Sequence, residues 1–276
     1  MPFLSTHICR NVSKRVSQGL SRRPLGAFFF FGLLVFIAVD FAAAAAECPG
    51  TVSGPSIMPE RTQHGFGAVQ GLPPLPLAAN EYVVTIDDGP SAETTPQLLD
   101  ALRTHCVKAT FFLIGRKAAA NPGLVKEISA QGHAIGSHSY RHPNLIGMTE
   151  AEIVEEMQQG ADAVEAAQDG ARGTKGPRLV RLPGSANSSP IPSATLIEAL
   201  HQKWLTIAGY DLSPQDWRNS PPEESFKRLF HAIQDRGIIV FHDGQPNTIL
   251  LLPMVLEELS RRGGKIRQLV PRPGDG

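Results

Sequence analysis

Short apolar runs alternate with longer amphipathic segments along most of the chain, from about residue 81 to residue 270. The short runs are rich in β-branched and aromatic residues, which is typical of buried strands. In the longer segments apolar residues recur at helical spacing, and Thr149 with Glu152 has the pattern of a capping box. Seven strands are predicted, at residues 82–86, 108–114, 133–137, 178–181, 204–210, 238–241 and 265–270. Helices are predicted at residues 96–104, 118–131, 149–167, 193–202, 222–236 and 248–262.

This alternation of strand and helix predicts an α/β fold with a parallel sheet, either a barrel or a doubly wound sheet. Polar side chains mark the ends of several predicted strands. They are Asp87 and Asp88, His138, Arg181, Asp211 and His242. Catalytic groups collect at the carboxyl ends of the strands in barrels, and ligands bind at that edge in open α/β sheets. The sequence therefore predicts a functional site at this edge.

Two of these strand ends carry groups suited to a metal ion. Asp87 and Asp88 directly follow an apolar run, and neighbouring strand residues point to opposite faces of a sheet. One carboxylate can therefore bind a metal while the other acts as a base. His138 and His142 supply two imidazoles, so Asp88 with both histidines gives three ligands and an open position, as in catalytic metal sites. A divalent metal held there would lower the pKa of bound water towards about 7.

The other polar positions have roles in the same hypothesis. Asp87 takes the proton from the attacking water, and Arg181 holds the Asp87 carboxylate in place. His242 protonates the leaving group, and Asp216 pairs with His242 to favour its imidazolium form. Each motif also has an ordinary structural interpretation: a turn or cap for the Asp pair, a surface or core position for the histidines, and carbonyl binding for the arginine. The shared position at strand ends favours the catalytic hypothesis.

The first 46 residues differ from the rest of the chain. Basic residues precede an apolar run at 25–39, no acidic residue occurs before Asp40, and alanines at 42–46 offer a cleavage site. Two interpretations stay open: a cleaved secretory signal peptide, or an uncleaved anchor that tethers the protein to the inner membrane through residues 25–46. Both predict an exported protein, periplasmic or secreted.

Composition changes this picture little. The chain has 276 residues, zero formal net charge and no long basic run, so nothing indicates a nucleic-acid partner. Residues 47–80 are rich in Pro and Gly and predict an extended arm ahead of one catalytic domain at 81–276. After cleavage Cys48 and Cys106 would be the only cysteines, and a disulfide or two free thiols both stay open. Nothing in the sequence specifies an oligomeric state.

Four segments carry a resemblance to a known family. Residues 85–90 read Thr-Ile-Asp-Asp-Gly-Pro, and residues 138–142 read His-Ser-Tyr-Arg-His. Together with Asp-Trp at 216–217 and Val-Phe-His at 240–242, they resemble motifs of the polysaccharide deacetylases of carbohydrate esterase family four, which share a NodB-homology domain. The resemblance covers residues 81–270. It implies a distorted seven-stranded (β/α) barrel that acts on an acetylated glycan.

The resemblance also implies a role for each matching residue. Asp87 is the catalytic base and His242 the general acid, and the usual metal is zinc. The implied metal ligands are Asp88, His138 and His142.

The chain departs from the family pattern in two motifs. The third motif usually reads Arg-x-Pro-aromatic-Gly, whereas Arg181 here leads to Gly184 and Ser185 without the aromatic residue. A main-chain N–H near Gly184 or Ser185 can still donate to an oxyanion. In the fourth motif Ser213 stands where an earlier Asp is common, and Trp217 is either a core or rim residue or a platform for a sugar. These departures affect substrate choice more than the reaction.

The function that the resemblance implies is metal-dependent removal of N-acetyl groups from a GlcNAc-containing glycan, of chitooligosaccharide or peptidoglycan type, with release of acetate. An O-acetyl esterase on the same scaffold is an alternative, because ester cleavage passes through a similar transition state. A glycan-binding protein without turnover is another, although every catalytic position is filled. A phosphatase with an Asp-x-Asp motif is disfavoured, because the carboxylates here are adjacent.

Overall fold

The computed structural model describes residues 53–60, 62–168, 178–184, 191–218 and 220–272. All of them belong to the compact unit Glu47–Gly276. Within this part of the chain, no helix is both long and apolar enough to cross a bilayer. The predicted signal peptide or anchor at 1–46 lies outside the described residues, so both interpretations stay predictions, as do the domain boundaries.

Strands and helices alternate as the sequence predicts, and every predicted strand is present. The strands in the described residues are β1 (Gly65–Phe66), β2 (Glu81–Asp87), β3 (Thr110–Leu113), β4 (Ala134–Ser137), β5 (Arg178–Val180), β6 (Leu205–Ala208), β7 (Gly237–His242) and β8 (Lys265–Arg267). The helices are α1 (Thr95–Thr104), α2 (Gly115–Ala120), α3 (Pro122–Ala130), α4 (Glu150–Ala167), α5 (Ala194–His201), α6 (Pro222–Ala232) and α7 (Pro246–Arg261).

The strands form one parallel sheet in the order β1-β6-β5-β4-β3-β2-β7, and β8 pairs with the first half of β2. The sheet curls until the chain beyond β6 reaches β7, where Leu212 and Ile239 form a parallel bridge. The N–H of Val240 donates to the carbonyl of Leu212 at 3.0 Å. The predicted α/β class is confirmed, and the barrel is the alternative that the chain adopts.

Strand β2 shows how the sequence divides between the two faces of this sheet. Val84 and Ile86 pack with the leucines of α1 and α7 in the layer between sheet and helices. Val83 packs inside the barrel with Phe112. Because side chains alternate along a strand, Asp87 lies on the same inner face as Val83, at the carboxyl end of β2. The carboxylate of Asp87 therefore lies at the mouth of the barrel.

One predicted helix, at 118–131, is two helices in the structure. Helix α2 ends at Ala120, and α3 begins at Pro122 after a break at Asn121. Proline has no main-chain N–H and is favoured at the first position of a helix, so Pro122 starts a new helix instead of continuing the old one.

Within the predicted arm at 47–80 the structure has two short elements. Strand β1 pairs in parallel with β6, and a single turn of 3₁₀ helix follows at Ala68–Gln70. Phe66 of β1 is fully buried inside the barrel. A strand of two residues is too short to show an alternating pattern, so the sequence did not predict it.

The predicted disulfide falls partly outside the described residues. Cys106 is disulfide-bonded, whereas Cys48, the partner that the sequence suggests, lies outside them. The pairing of these two cysteines stays a prediction.

Candidate active site

Asp88, His138 and His142 lie together at the carboxyl edge of the sheet, as the sequence predicts. One ligand atom from each lies within 4.8 Å of the others. The Nε2 atoms of His138 and His142 lie 3.6 and 3.4 Å from Oδ1 of Asp88. Strands β2 and β4 lie on either side of β3, so their parallel carboxyl ends bring the carboxylate and the imidazoles to one side of the barrel mouth.

The state of these three side chains fits a divalent metal. Oδ1 of Asp88 is buried and has no hydrogen-bond partner among the described residues, although a buried carboxylate oxygen normally has one. Nδ1 of His138 lies 2.9 Å from the carbonyl oxygen of Arg181, so the proton belongs on Nδ1 and the lone pair on Nε2. Burial lowers the pKa of His138 despite the charges of Asp87 and Asp88, which favours the neutral ring that a metal requires.

Asp87 lies beside this cluster but has different partners. Its side chain is buried, with 2% of the residue exposed. Oδ1 accepts a hydrogen bond from Nη1 of Arg181 at 2.7 Å, whereas Oδ2 faces Nε2 of His138 at 3.8 Å. The two adjacent carboxylates therefore occupy distinct positions, one against an arginine and one against the imidazoles.

Arg181 is fully buried, and all three nitrogens of its guanidinium donate hydrogen bonds. Its Nε and Nη2 atoms donate to the carbonyls of Ala208 and Gly209 at 2.8 and 2.9 Å, at the carboxyl end of β6. The guanidinium also lies 4.1 Å over the ring of Phe112. Arg181 thus binds two main-chain carbonyls and the Asp87 carboxylate, and its catalytic role stays a prediction.

His242 lies at the end of β7 and is paired with Asp216. Its Nδ1 lies 2.8 Å from Oδ1 of Asp216, and its main-chain N–H donates to Oδ2 at 2.8 Å. Thr248 on α7 donates to the same Oδ2 at 2.5 Å. Burial alone would lower the pKa of His242, but the hydrogen bond and charge of Asp216, with the charges of Asp87 and Asp88, raise it to about 9. The imidazole is therefore protonated at neutral pH.

Known proteins are similar to this chain in sequence and in fold. The sequence profile of the polysaccharide deacetylase family matches residues 76–200. A peptidoglycan-N-acetylglucosamine deacetylase of Bacillus cereus is 31% identical over 189 residues, which are 67% of this chain and 84% of the relative. The chain belongs to the polysaccharide deacetylase family.

Solved structures in this family have the same fold. The family 4 carbohydrate esterase of Streptomyces lividans, in complex with acetate, is 30% identical with a TM-score of 0.59, over 71% of this chain and 100% of the esterase. A family 4 pseudoenzyme of Bacillus anthracis is 25% identical with a TM-score of 0.60, over 69% of this chain and 64% of the pseudoenzyme. The chain spans only 39% of the length of the peptidoglycan-N-acetylglucosamine deacetylase PgdA of Listeria monocytogenes, which is 31% identical over 195 residues. Activity therefore has to be argued from the site itself.

Two further residues of the family's motifs lie at or near the mouth of the site. Trp217 is 41% exposed, and its ring meets that of His242 edge-on, with 5.0 Å between centroids. It is thus a rim residue beside the predicted acid. Gly184 adopts φ +98°, in the region that favours glycine. Ser185, predicted with Gly184 as an oxyanion donor, lies outside the described residues.

Asp211 is not part of the site, although it also follows a strand. Its Oδ1 accepts from the N–H of Ala68 at 2.8 Å, and its Oδ2 accepts from the N–H of Ile238 at 2.9 Å. The carboxylate therefore fastens the 3₁₀ turn and β7 to the end of β6. It helps to close the barrel. It does not take the place of the aspartate that is common in the fourth motif at the position of Ser213.

Sequence reasoning missed the residues that support the Asp87–Asp88 turn. The Asp243 N–H donates to the carbonyl of Asp87 at 2.8 Å, and Lys117 Nζ donates to that of Asp88 at 2.8 Å. The buried carboxylate of Asp243 accepts hydrogen bonds from the hydroxyls of Thr94 and Thr95, and burial raises its pKa. The only signal for this support in the sequence is the position of Asp243 directly after His242.

Proposed function

We propose that this chain is a divalent-metal-dependent deacetylase that removes N-acetyl groups from a GlcNAc-containing glycan, of peptidoglycan or chitooligosaccharide type. One observation carries the proposal. A buried carboxylate held by an arginine, three side chains that are able to ligate a metal, and a histidine with a raised pKa share one barrel mouth. The names of the relatives supply the substrate class, since one acts on N-acetylglucosamine of peptidoglycan.

Asp88, His138 and His142 would hold the metal, for which zinc is the best candidate. A set of one carboxylate and two imidazoles with an open position is typical of catalytic zinc. When bound, the ion supplies Lewis acidity, which polarises the acetyl carbonyl and makes water a nucleophile near neutral pH. The hydrogen bond between His138 and the Arg181 carbonyl keeps the ligand ring in the required tautomer.

Asp87 accepts the proton of the attacking water. Arg181 occupies Oδ1 of Asp87, so Oδ2, on the side of His138, is the oxygen that takes the proton. The charge-assisted bond to a fully buried guanidinium also fixes the carboxylate in one orientation. Holding a general base in one orientation close to the water accounts for a large part of the rate gain in general base catalysis.

His242 donates a proton to the departing amine. Because Asp216 is bonded to Nδ1, the proton that can be given is on Nε2. A pKa of about 9 keeps the ring charged at neutral pH until the leaving nitrogen accepts the proton. Trp217 lies beside this ring at the rim and forms a wall for the bound sugar, and a main-chain N–H at Gly184 or Ser185 donates to the oxyanion.

The same proposal places the protein outside the cytoplasm, in the periplasm or secreted. A peptidoglycan or chitooligosaccharide substrate agrees with the export signal predicted at residues 1–46. Whether residues 25–46 tether the protein to the inner membrane is a separate prediction, which fractionation of cells with and without this segment tests.

An acetate-release screen tests the proposed function. Purified protein loaded with Zn²⁺ is incubated with chitooligosaccharides, peptidoglycan fragments and acetylated xylan, and released acetate is measured, with chelator-treated protein as control. We expect release from an N-acetylated glycan only in the metal-loaded sample. Release from xylan alone indicates an O-acetyl esterase. No release from any glycan, with glycan binding intact, indicates a protein without turnover, like the Bacillus anthracis pseudoenzyme.

A further inference from the structure

The segment that carries both candidate histidine ligands has a conformation that depends on its surroundings. Residues 138–142 lie beyond β4 and belong to no helix or strand. Ser139 and His142 adopt φ +62° and φ +60°. This left-handed region costs a non-glycine residue on the order of 1–2 kcal/mol, so it persists only where neighbouring groups hold it.

Two helices hold the main chain of this segment. The N–H groups of Gly115 and Arg116, at the start of α2, donate to the carbonyls of Ser139 and Tyr140 at 2.9 and 3.0 Å. Helix α4 packs so closely that a Cβ on Gly160 would lie 2.3 Å from the carbonyl carbon of Ser139. Only glycine permits this approach, so the position of the segment is set by helix packing.

Glu156, one turn before Gly160 on α4, completes this support. Its side chain is 1% exposed, and its two oxygens accept from Arg141, one from the main-chain N–H and the other from Nε at 3.0 Å. A buried carboxylate is costly unless it is paired and hydrogen-bonded, and replacing such pairs by apolar residues is often neutral for stability. Arg141, whose side chain is 65% exposed, directly precedes the ligand His142.

The two histidines differ in how their rings are held. The ring of His138 is fixed by its bond to the Arg181 carbonyl. No hydrogen bond within the described part of the chain fixes the ring of His142, whose main-chain N–H is held by Ser139 Oγ at 2.9 Å. The position of the His142 imidazole therefore depends on the main chain at residues 139–142, which Glu156 holds through Arg141.

We propose that Glu156 is a positioning residue for the metal site, which sets the place of the His142 ligand through the main chain of Arg141. The inference rests on the part of the proposed function that assigns a divalent metal to Asp88, His138 and His142. Residues that hydrogen-bond directly to metal ligands typically contribute 10- to 100-fold to metal affinity, which sets the upper bound for a residue that acts through the main chain. Glu156 touches neither the metal ligands nor the substrate site, so its effect is indirect.

The test compares Glu156→Gln with Glu155→Gln, an exposed neighbour on the same helix. Zn²⁺ affinity is measured by competition with a chromophoric chelator, and Co²⁺-loaded protein gives an absorption spectrum that reports ligand geometry. For Glu156→Gln, in which the amide can accept from only one of the two Arg141 N–H groups, we expect Zn²⁺ binding weaker by up to about 10-fold and an altered Co²⁺ spectrum. For Glu155→Gln we expect both to match the wild type. Glu156→Ala is expected to lose more affinity, and Glu156→Gln keeps the test decisive where the alanine variant does not fold.

Three outcomes separate the alternatives. Unchanged Zn²⁺ affinity and Co²⁺ spectrum in Glu156→Gln, with or without a lower melting temperature, would mean that Glu156 is only structural and overturns the inference. A wild-type protein that binds no divalent metal overturns the inference together with the proposed metal dependence. A wild-type protein that binds Zn²⁺ but releases no acetate contradicts the proposed function alone, while weaker binding in Glu156→Gln still supports the inference.

Discussion

Two histidines, the buried His133 and the partly buried His242, lie at opposite edges of the sheet and show how different these edges are. His133 precedes β4 at the amino edge, and burial with the nearby charge of Lys108 lowers its pKa to about 4. His242 ends β7 at the carboxyl edge, and Asp216 with Asp87 and Asp88 raises its pKa to about 9 against the effect of burial. The residue type is the same, and both side chains are largely buried. The groups around each ring therefore determine its protonation state.

The contacts of His133 agree with a packing role. The N–H of Ala109 donates to its Nδ1 at 3.1 Å, and its ring meets that of Phe111 edge-on. No carboxylate pairs with it among the described residues. The comparison therefore separates a neutral histidine that joins two strands from a charged histidine that faces a site. Parallel barrels show this division generally, with stability at one edge and chemistry at the other.

Substitutions of His242 and His133 are expected to differ most in their effect on kcat. His242→Asn removes the proposed acid and should lower kcat by about 10²- to 10⁴-fold. His133→Asn keeps an acceptor for the Ala109 N–H and should leave kcat within about twofold, because it lies at the other edge. Steady-state acetate release from both variants, with circular dichroism to check folding, measures this contrast. Equal losses in the two variants would remove the distinction.

The raised pKa of His242 predicts the alkaline limb of the pH–rate profile. The acid must be protonated, so kcat/KM should be retained below the pKa and lost as pH rises through it, at or below about pH 9 because a bound cation offsets the nearby carboxylates. Asp216→Asn removes the main charge that raises this pKa, so the limb should move to lower pH. A limb that stays in place in Asp216→Asn would mean that another group titrates there.

The lowered pKa of His133 predicts a smaller effect, confined to stability in acid. Its pKa falls from 6.5 unfolded to about 4 folded, so its contribution is present above about pH 6.5 and lost as pH falls towards 4. The loss is about 3 kcal/mol, since one pKa unit corresponds to about 1.36 kcal/mol. Urea unfolding of metal-free protein between pH 7 and pH 4 measures it. His133→Asn should show a flatter dependence on pH, and an unchanged slope would contradict the assignment.

The sequence predicts the carboxyl edge better than the rest of the molecule. Strand ends are marked by apolar runs that stop abruptly, and the polar residues Asp87, His138 and His242 directly follow them. Local pattern is sufficient there because parallel strands carry their ends to one edge.

Longer-range partners were not predictable in this way. Asp211 has the same position after a strand as Asp87, yet it binds main-chain N–H groups of distant segments, Ala68 and Ile238. Glu156 appears in the sequence as one acid among several on an amphipathic helix, and only packing shows that it is buried. Which helical face is buried at a given point, and which carboxylate it carries, follows from tertiary contacts and not from periodicity.

The division of roles between Asp87 and Asp88 is the central claim, and one paired measurement tests it most directly. Acetate release and bound Zn²⁺ are measured on the same preparation of Asp87→Asn. Because the proposed ligands are Asp88, His138 and His142, we expect Zn²⁺ binding to persist while acetate release falls by about 10²- to 10⁴-fold. Acetate release at the wild-type rate from this variant would contradict the account.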